Sequence, residues 1–143
     1  MGFMDKIKAG VGIGTAALVV EIKNKPSKRG EDLIAVIHIT GGKNPQKMNY
    51  CVVDVRWLGK WEQPLADGRK VAMEGHAIFH RYNLAGSENV TLEPGKAYEF
   101  PMTVKIPMEG PLTTQDVHYD FGVRADIEEV SDPTFNTQFD ITA

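Results

Sequence analysis

The residues of this 143-residue chain whose types could support chemistry are four histidines, one cysteine, two tryptophans and a glycine-rich stretch. The histidines are His38, His76, His80 and His118. On an extended strand, His76 and His80 are four positions apart and stand roughly 13 Å from each other, too far to share a metal ion. A copper centre in a β-sandwich needs Cys, His and Met gathered on the loop of the last strand pair. Cys51 instead sits in the run Cys51-Val52-Val53-Asp54 and reads as a small core hydrophobe. No metal or other cofactor is expected.

Gly10-Val11-Gly12-Ile13-Gly14-Thr15-Ala16-Ala17 has the outline of a dinucleotide fingerprint. That motif must follow a strand and open a helix, because the helix N-terminus holds the pyrophosphate. Here it follows a helical pattern and precedes a strand pattern, so it reads as a connector. No G-x-S-x-G elbow and no Cys-His pairing context is present. Glu128 and Glu129 are adjacent, so on a strand they face opposite ways and cannot act as a carboxylate pair. Trp57 continues the apolar face of its strand, whereas Trp61 lies where that strand should end. With Tyr82, these rings could stack on a sugar, which makes a small-ligand or carbohydrate-binding module the alternative reading. No catalytic residue is expected, and the chain is not expected to be an enzyme.

The elements that must position these residues are read from periodicity. Phe3, Met4, Ile7 and Val11 fall on one helical face, opposite Asp5, Lys6 and Lys8, which predicts a short helix over residues 3–9. Beyond the glycines the apolar period is two. Leu33, Ala35, Ile37 and Ile39 share a face, as do Cys51, Val53, Val55 and Trp57. Phe100, Met102, Val104 and Ile106 repeat the pattern, and so do Val117, Tyr119, Phe121, Val123, Ala125 and Ile127. Turn signals at Asn24-Lys25-Pro26, Gly41-Gly42, Asp67-Gly68, Glu93-Pro94-Gly95 and Glu109-Gly110-Pro111 separate the runs. The expected strands are about seven, over residues 17–24, 32–40, 48–58, 76–84, 96–107, 117–128 and 134–142. Residues 59–75 are expected to be an excursion or an irregular extra strand. The fold class is all-β, an antiparallel, Ig-like β-sandwich. Residues 1–14 form its N-terminal helix and glycine connector, and residues 15–143 the sandwich. Val53, Val55, Ile37, Phe100, Val104, Phe121 and Val123 are its expected core.

Composition excludes other classes. The chain is 42% hydrophobic and 24% charged, which is too apolar for global disorder. No stretch approaches the ~18 apolar residues of a membrane span. A single cysteine forbids an internal disulfide and suits a reducing compartment. With no signal-peptide pattern at the start, the expected location is the cytoplasm. The net charge is −3 and no basic patch is interleaved with aromatics, so nucleic acid is not an expected partner. Charge is uneven: residues 1–43 carry seven Lys/Arg against four Asp/Glu, and residues 109–143 carry one Arg against eight Asp/Glu.

Several strings resemble the bacterial and archaeal sporulation-control protein family. They are Gly2-Phe3-Met4-Asp5-Lys6-Ile7-Lys8-Ala9-Gly10 at the start, Val36-Ile37-His38-Ile39-Thr40-Gly41-Gly42-Lys43, Glu93-Pro94-Gly95, and Phe121-Gly122-Val123-Arg124-Ala125-Asp126-Ile127. The resemblance implies an arrestin-like fold and a non-enzymatic regulatory or scaffold role, with no catalytic residues to carry over. Members of that family usually carry two arrestin-type sandwiches and a tail, and this chain covers about one. The expected partners are proteins, including a second copy of the chain. The candidate partner-binding residues are Asp120, Asp126, Glu128 and Glu129 on the acidic third, and Phe3, Met4 and Ile7 on the helical face. That face would lie on the sandwich, on a partner subunit or on an anionic membrane, although one or two turns bury too little for stable membrane anchoring. The first strand, entered from a glycine connector, is the expected free edge for pairing with an extended peptide.

Overall fold

A computed structural model describes residues 15–143. The helix expected over residues 3–9, its glycine connector and the candidates Phe3, Met4 and Ile7 lie outside the described residues. Eight strands follow in chain order: β1 (Ala17–Asn24), β2 (Asp32–Thr40), β3 (Gln46–Pro64), β4 (Lys70–Asn83), β5 (Val90–Leu92), β6 (Ala97–Lys105), β7 (Val117–Ile127) and β8 (Thr134–Phe139). All paired strands are antiparallel. One sheet has the order β1-β2-β6. The other runs β4-β3-β7-β8, with β5 also paired to β3.

The two sheets meet through their period-two apolar rows. Leu33, Ala35, Ile37 and Ile39 of β2 are fully buried, and Phe100, Met102 and Val104 of β6 lie beside them. Facing them are Cys51, Val53, Val55 and Trp57 of β3 and the row from Val117 to Ile127 of β7. All seven expected core residues are in this cluster. Trp57 anchors one end, stacked on Phe79 at 5.2 Å and tilted against Tyr119 at 5.7 Å. Tyr119 donates its hydroxyl to the Pro111 carbonyl at 2.8 Å, so its polar tip is satisfied.

Three local features depart from the strand pattern expected of the sequence. Residues 59–75 are no excursion: β3 and β4 continue as a paired two-stranded arm out to Pro64 and Lys70. The Asp67-Gly68 signal does close it, with Gly68 at φ +87° and the Asp67 carboxylate accepting from the Arg69 amide at 3.0 Å. The arm carries Lys60, Glu62, Gln63, Lys70 and Glu74. A hairpin wet on both faces shows no apolar alternation, so periodicity cannot reveal it. The three-residue β5 is too short to show a period. β8 stops at Phe139, after which Ile141 is buried and Thr142 bridges to Lys28.

Gly41 explains why two glycines stand after β2. Its amide donates to the Lys96 carbonyl and its carbonyl accepts from the Gly95 amide. A Cβ there would overlap the Glu93 carbonyl. Gly41→Ala is therefore expected to lower unfolding stability by about 2 kcal/mol or more, as forced backbone displacements do. Phe121→Ala, which empties a fully buried ring position, should cost about 3–5 kcal/mol in urea unfolding. A melting temperature unchanged by either substitution contradicts these packing assignments.

Candidate functional site

The residues of β3 and β7 that point away from the core form one polar surface. Because β3 pairs with β7 in register, Asp54 lies opposite Gly122, Arg56 opposite Asp120 and Val52 opposite Arg124. β8 adds Asn136 opposite Gly122, and β4 adds Arg81 opposite Asp54. Asp54, Arg56, Asp120, Gly122, Arg124 and Asn136 line a shallow depression of about 170 Å³, with Arg81 beyond its rim.

Charges on this surface are paired. The Arg81 guanidinium donates twice to the Asp54 carboxylate, at 2.5 and 3.1 Å, and that carboxylate holds the guanidinium pKa above its ordinary value. Arg124 donates to Asp132 at 2.9 Å and to the Tyr50 hydroxyl at 3.4 Å. Arg56 Nε lies 3.4 Å from Asp120 Oδ2, which also accepts from Asn136. That N–H makes no hydrogen bond, so the Arg56–Asp120 contact is an ion pair without a directed donor.

Of the acidic candidates, the structure brings Asp120 and Asp126 onto this surface and leaves Glu128 and Glu129 beyond it. Asp120 is 7% exposed and held by Arg56 and Asn136. Asp126 lies in register with Tyr50, half-buried. Glu128 follows the end of β7, 4.0 Å from Lys47, and the exposed Glu129 turns the chain at φ +67°. Read along β7 alone, the face is mainly negative. β3 and β4 contribute Arg56 and Arg81, so the assembled surface is nearly balanced. Parity on β3 places Asp54 and Arg56 outward in the sequence, but nothing local reveals that they meet Asp120.

A second polar cluster crosses the three-stranded sheet. His38 Nε2 is 3.1 Å from Glu21 on β1, and His38 Nδ1 is 3.5 Å from Glu99 on β6. The Lys23 ammonium, and after it His38, hold the exposed Glu21 carboxyl below its ordinary value. Sequence reasoning assigned no role to His38; its outward parity beside Val36 was the available signal.

The aromatic candidates for a sugar platform point elsewhere. Trp57 is 7% exposed and Trp61 packs edge-on against it at 6.2 Å. Tyr82 is half-buried against His80. Among the described residues the exposed large hydrophobics are Ile34, Leu65, Val71, Met73 and Met108, none of them aromatic. His76 and His80 pair with Leu58 and Val55 along β3. Among the described residues, no three or more His, Cys, Asp or Glu come together as metal ligands. Cys51 is fully buried, and burial pushes its thiol up to about 12.

A family model described as SpoOM protein matches residues 4–142. The chain belongs to this family. Sporulation-control protein spo0M of Bacillus subtilis (strain 168) is 27% identical to it over 117 residues, 82% of this chain and 43% of that protein. The crystal structure of Spo0M, sporulation control protein, from Bacillus subtilis matches with a TM-score of 0.71 at 21% identity, over 92% of this chain and 51% of that one. A family 123 glycoside hydrolase from Clostridium perfringens matches with a TM-score of 0.52 at 11% identity, over 90% of this chain and 27% of that enzyme, a likeness of fold alone. This SpoOM-family chain spans about half the length of the Spo0M relatives it matches. Among the described residues no helix is long and apolar enough to cross a membrane.

Burial of titratable groups makes this chain sensitive to base. Desolvation raises Cys51 from 9.0, and Tyr82 and Tyr119 from 10.0, each to about 12. Unfolded, these groups lose their protons first as pH rises, so their contribution to stability is whole below about pH 9 and is lost as pH rises toward 12. Urea midpoints measured from pH 8 to pH 11 should fall. At pH 8, alkylation of Cys51 should be roughly a hundredfold slower or more in the folded chain than in urea, since both access and thiolate are lost.

Proposed function

We propose that the chain is a non-enzymatic regulatory or scaffold protein of the arrestin-like kind, acting in the cytoplasm by holding a protein partner. The observation that carries this reading is the contrast between the edges of the three-stranded sheet. β6 carries Pro101 at its middle, which has no N–H to donate at that edge and so blunts it. β1 offers Ala17–Ile22, six residues without proline, and pairs only with β2 among the described residues. The register shift between Ile22 and Asn24, followed by the buried Pro26, ends that stretch. An extended segment of a partner, or of a second copy, would add to β1 by main-chain hydrogen bonds. The names of the relatives, which are those of a control protein, support a regulatory role.

Orientation would come from charge. Asp126, Glu128 and Glu129 lie in the middle of the acidic third, and the segment Lys23, Lys25, Lys28 and Arg29 is basic. Exposed charges of this kind set approach rate and partner choice more than affinity, and salt screens them.

The test is association of the full chain with itself and with cross-linked partners, for wild type and for Asp126→Lys/Glu128→Lys, at low and high salt. Charge reversal should weaken association about threefold to tenfold at low salt and little at high salt, with cross-links mapping to residues 17–24. Association that ignores both charge and salt, with no cross-link on β1, overturns the reading.

A further inference from the structure

The far end of the β3–β4 arm carries a charge and apolar pattern that is complementary to itself. β4 is the outer strand of its sheet: β3 pairs with one side of it, and no described strand pairs with the other. Residues 70–76 of β4 are all exposed, and no proline interrupts the strand. Val71 and Met73, 41% and 42% exposed, are two of the five exposed large hydrophobics among the described residues. Lys70 and Glu74 form no ion pair with any described residue.

Hydrogen-bond parity decides which main-chain groups of this edge are open. The Leu65 amide donates to the Arg69 carbonyl at 2.7 Å, so that pair is of the hydrogen-bonded kind. The next pair, Pro64 with Lys70, is of the other kind, as a residue without an N–H requires. The two kinds alternate along an antiparallel ladder. Val71, Met73 and Gly75 therefore aim their main-chain groups at β3, and Lys70, Ala72 and Glu74 aim theirs outward. An added strand must bond to those three residues.

We propose that this edge is a self-association surface, on which a second copy of the chain adds its own Lys70–Glu74 segment antiparallel about a two-fold axis at Ala72. That register sets Lys70 opposite Glu74 of the second copy, Val71 opposite its Met73, and the reverse of each, as an isologous contact must. Lys70, Ala72 and Glu74 all fall in hydrogen-bonded pairs, so the outward parity is respected. An axis at Lys70 or at Glu74 would set like charges face to face. An axis at Val71 or at Met73 would leave both charges without an opposite one across from them. Two rows then run across four strands. Lys60, Glu74 and Lys70 of the second copy alternate in sign. Trp61, Met73 and Val71 of the second copy make an apolar row on the face that continues from Trp57. The small Ala72 at the axis keeps the two copies of Glu62 about 14 Å apart. Charges on an open edge ordinarily keep strands from pairing; here their signs and spacing admit a second copy in one register. Five residues from each copy make a weak, reversible contact. This inference is independent of the partner reading, which concerns the edge of β1.

The experiment pairs two opposite charge reversals in the full chain. Self-association is followed by sedimentation at concentrations up to about 1 mM. Lys70→Glu alone and Glu74→Lys alone should each weaken it about tenfold, because each reverses two symmetry-related pairs. Mixing the two variants in equal amounts should restore it, since every facing pair is again opposite in sign. Ala72→Pro removes an outward N–H without touching the bonds to β3, and should abolish the association. Under mild oxidation, Ala72→Cys should link two copies about tenfold faster than Val71→Cys or Met73→Cys, because only residue 72 meets itself across the axis; the buried Cys51 does not compete. A chain that stays monomeric throughout overturns the inference. So do a mixture no stronger than its separate components, faster linking at residue 71 or 73, and association that survives Ala72→Pro, which would belong to another surface.

Discussion

Antiparallel pairing of β3 with β7 is the constraint from which the rest of the molecule is built. It runs from Gly59 opposite Val117 to Met48 opposite Ile127 and joins the two longest apolar rows of the chain side by side. One irregularity, between Met48 and Tyr50, shifts the strand by a residue, so that Met48 and Cys51 both face inward despite being three positions apart. β4 and β5 then share the free side of β3, β8 takes the free side of β7, and β1-β2-β6 closes over the exposed apolar floor. Slipping the pair by one residue would turn Val53, Val55, Phe121 and Val123 to water together, which is why the register is strongly specified.

The same register decides the electrostatics of the opposite face. Since side chains alternate, burying Val53, Val55, Phe121 and Val123 forces Asp54, Arg56, Asp120 and Arg124 outward into one neighbourhood. Most of these pairs are exposed and contribute about 0–1 kcal/mol each. Asp120 differs, because it is nearly buried, and removing Arg56 would leave its carboxylate without a counter-charge. The surface that results is close to neutral and specific in shape. Glu128 and Glu129 lie beyond the end of β7, outside this surface.

Edges and faces divide the remaining open surface. Pro101 blunts β6, and the β3–β4 arm carries its polar residues past the end of the sheet, whereas the six residues Ala17–Ile22 of β1 contain no proline and pair only with β2 among the described residues. Gly41 lets the turn after β2 press against the Glu93–Gly95 turn before β6, tying the two strands at the end where β1 begins. β1 pairs with β2 on one side, and among the described residues no strand is paired to its other side.

The sequence by itself determined what short-range physics controls. Period two from Val117 to Ile127 and from Leu33 to Ile39 predicted strands and the buried member of each residue pair, and every expected core residue is buried. Asp67-Gly68 and Gly41-Gly42 marked real turns, because φ and close approach are local demands. Tertiary structure alone decided the pairing order, the short β5, the arm over residues 59–75, and the meeting of Arg56 and Arg81 with Asp120 and Asp54. Periodicity records which face of a strand is wet, but not which strand lies beside it. Neighbours are chosen by the sum of packing across the whole sandwich, so a face that reads as negative along β7 becomes balanced once β3 and β4 bring their arginines to it.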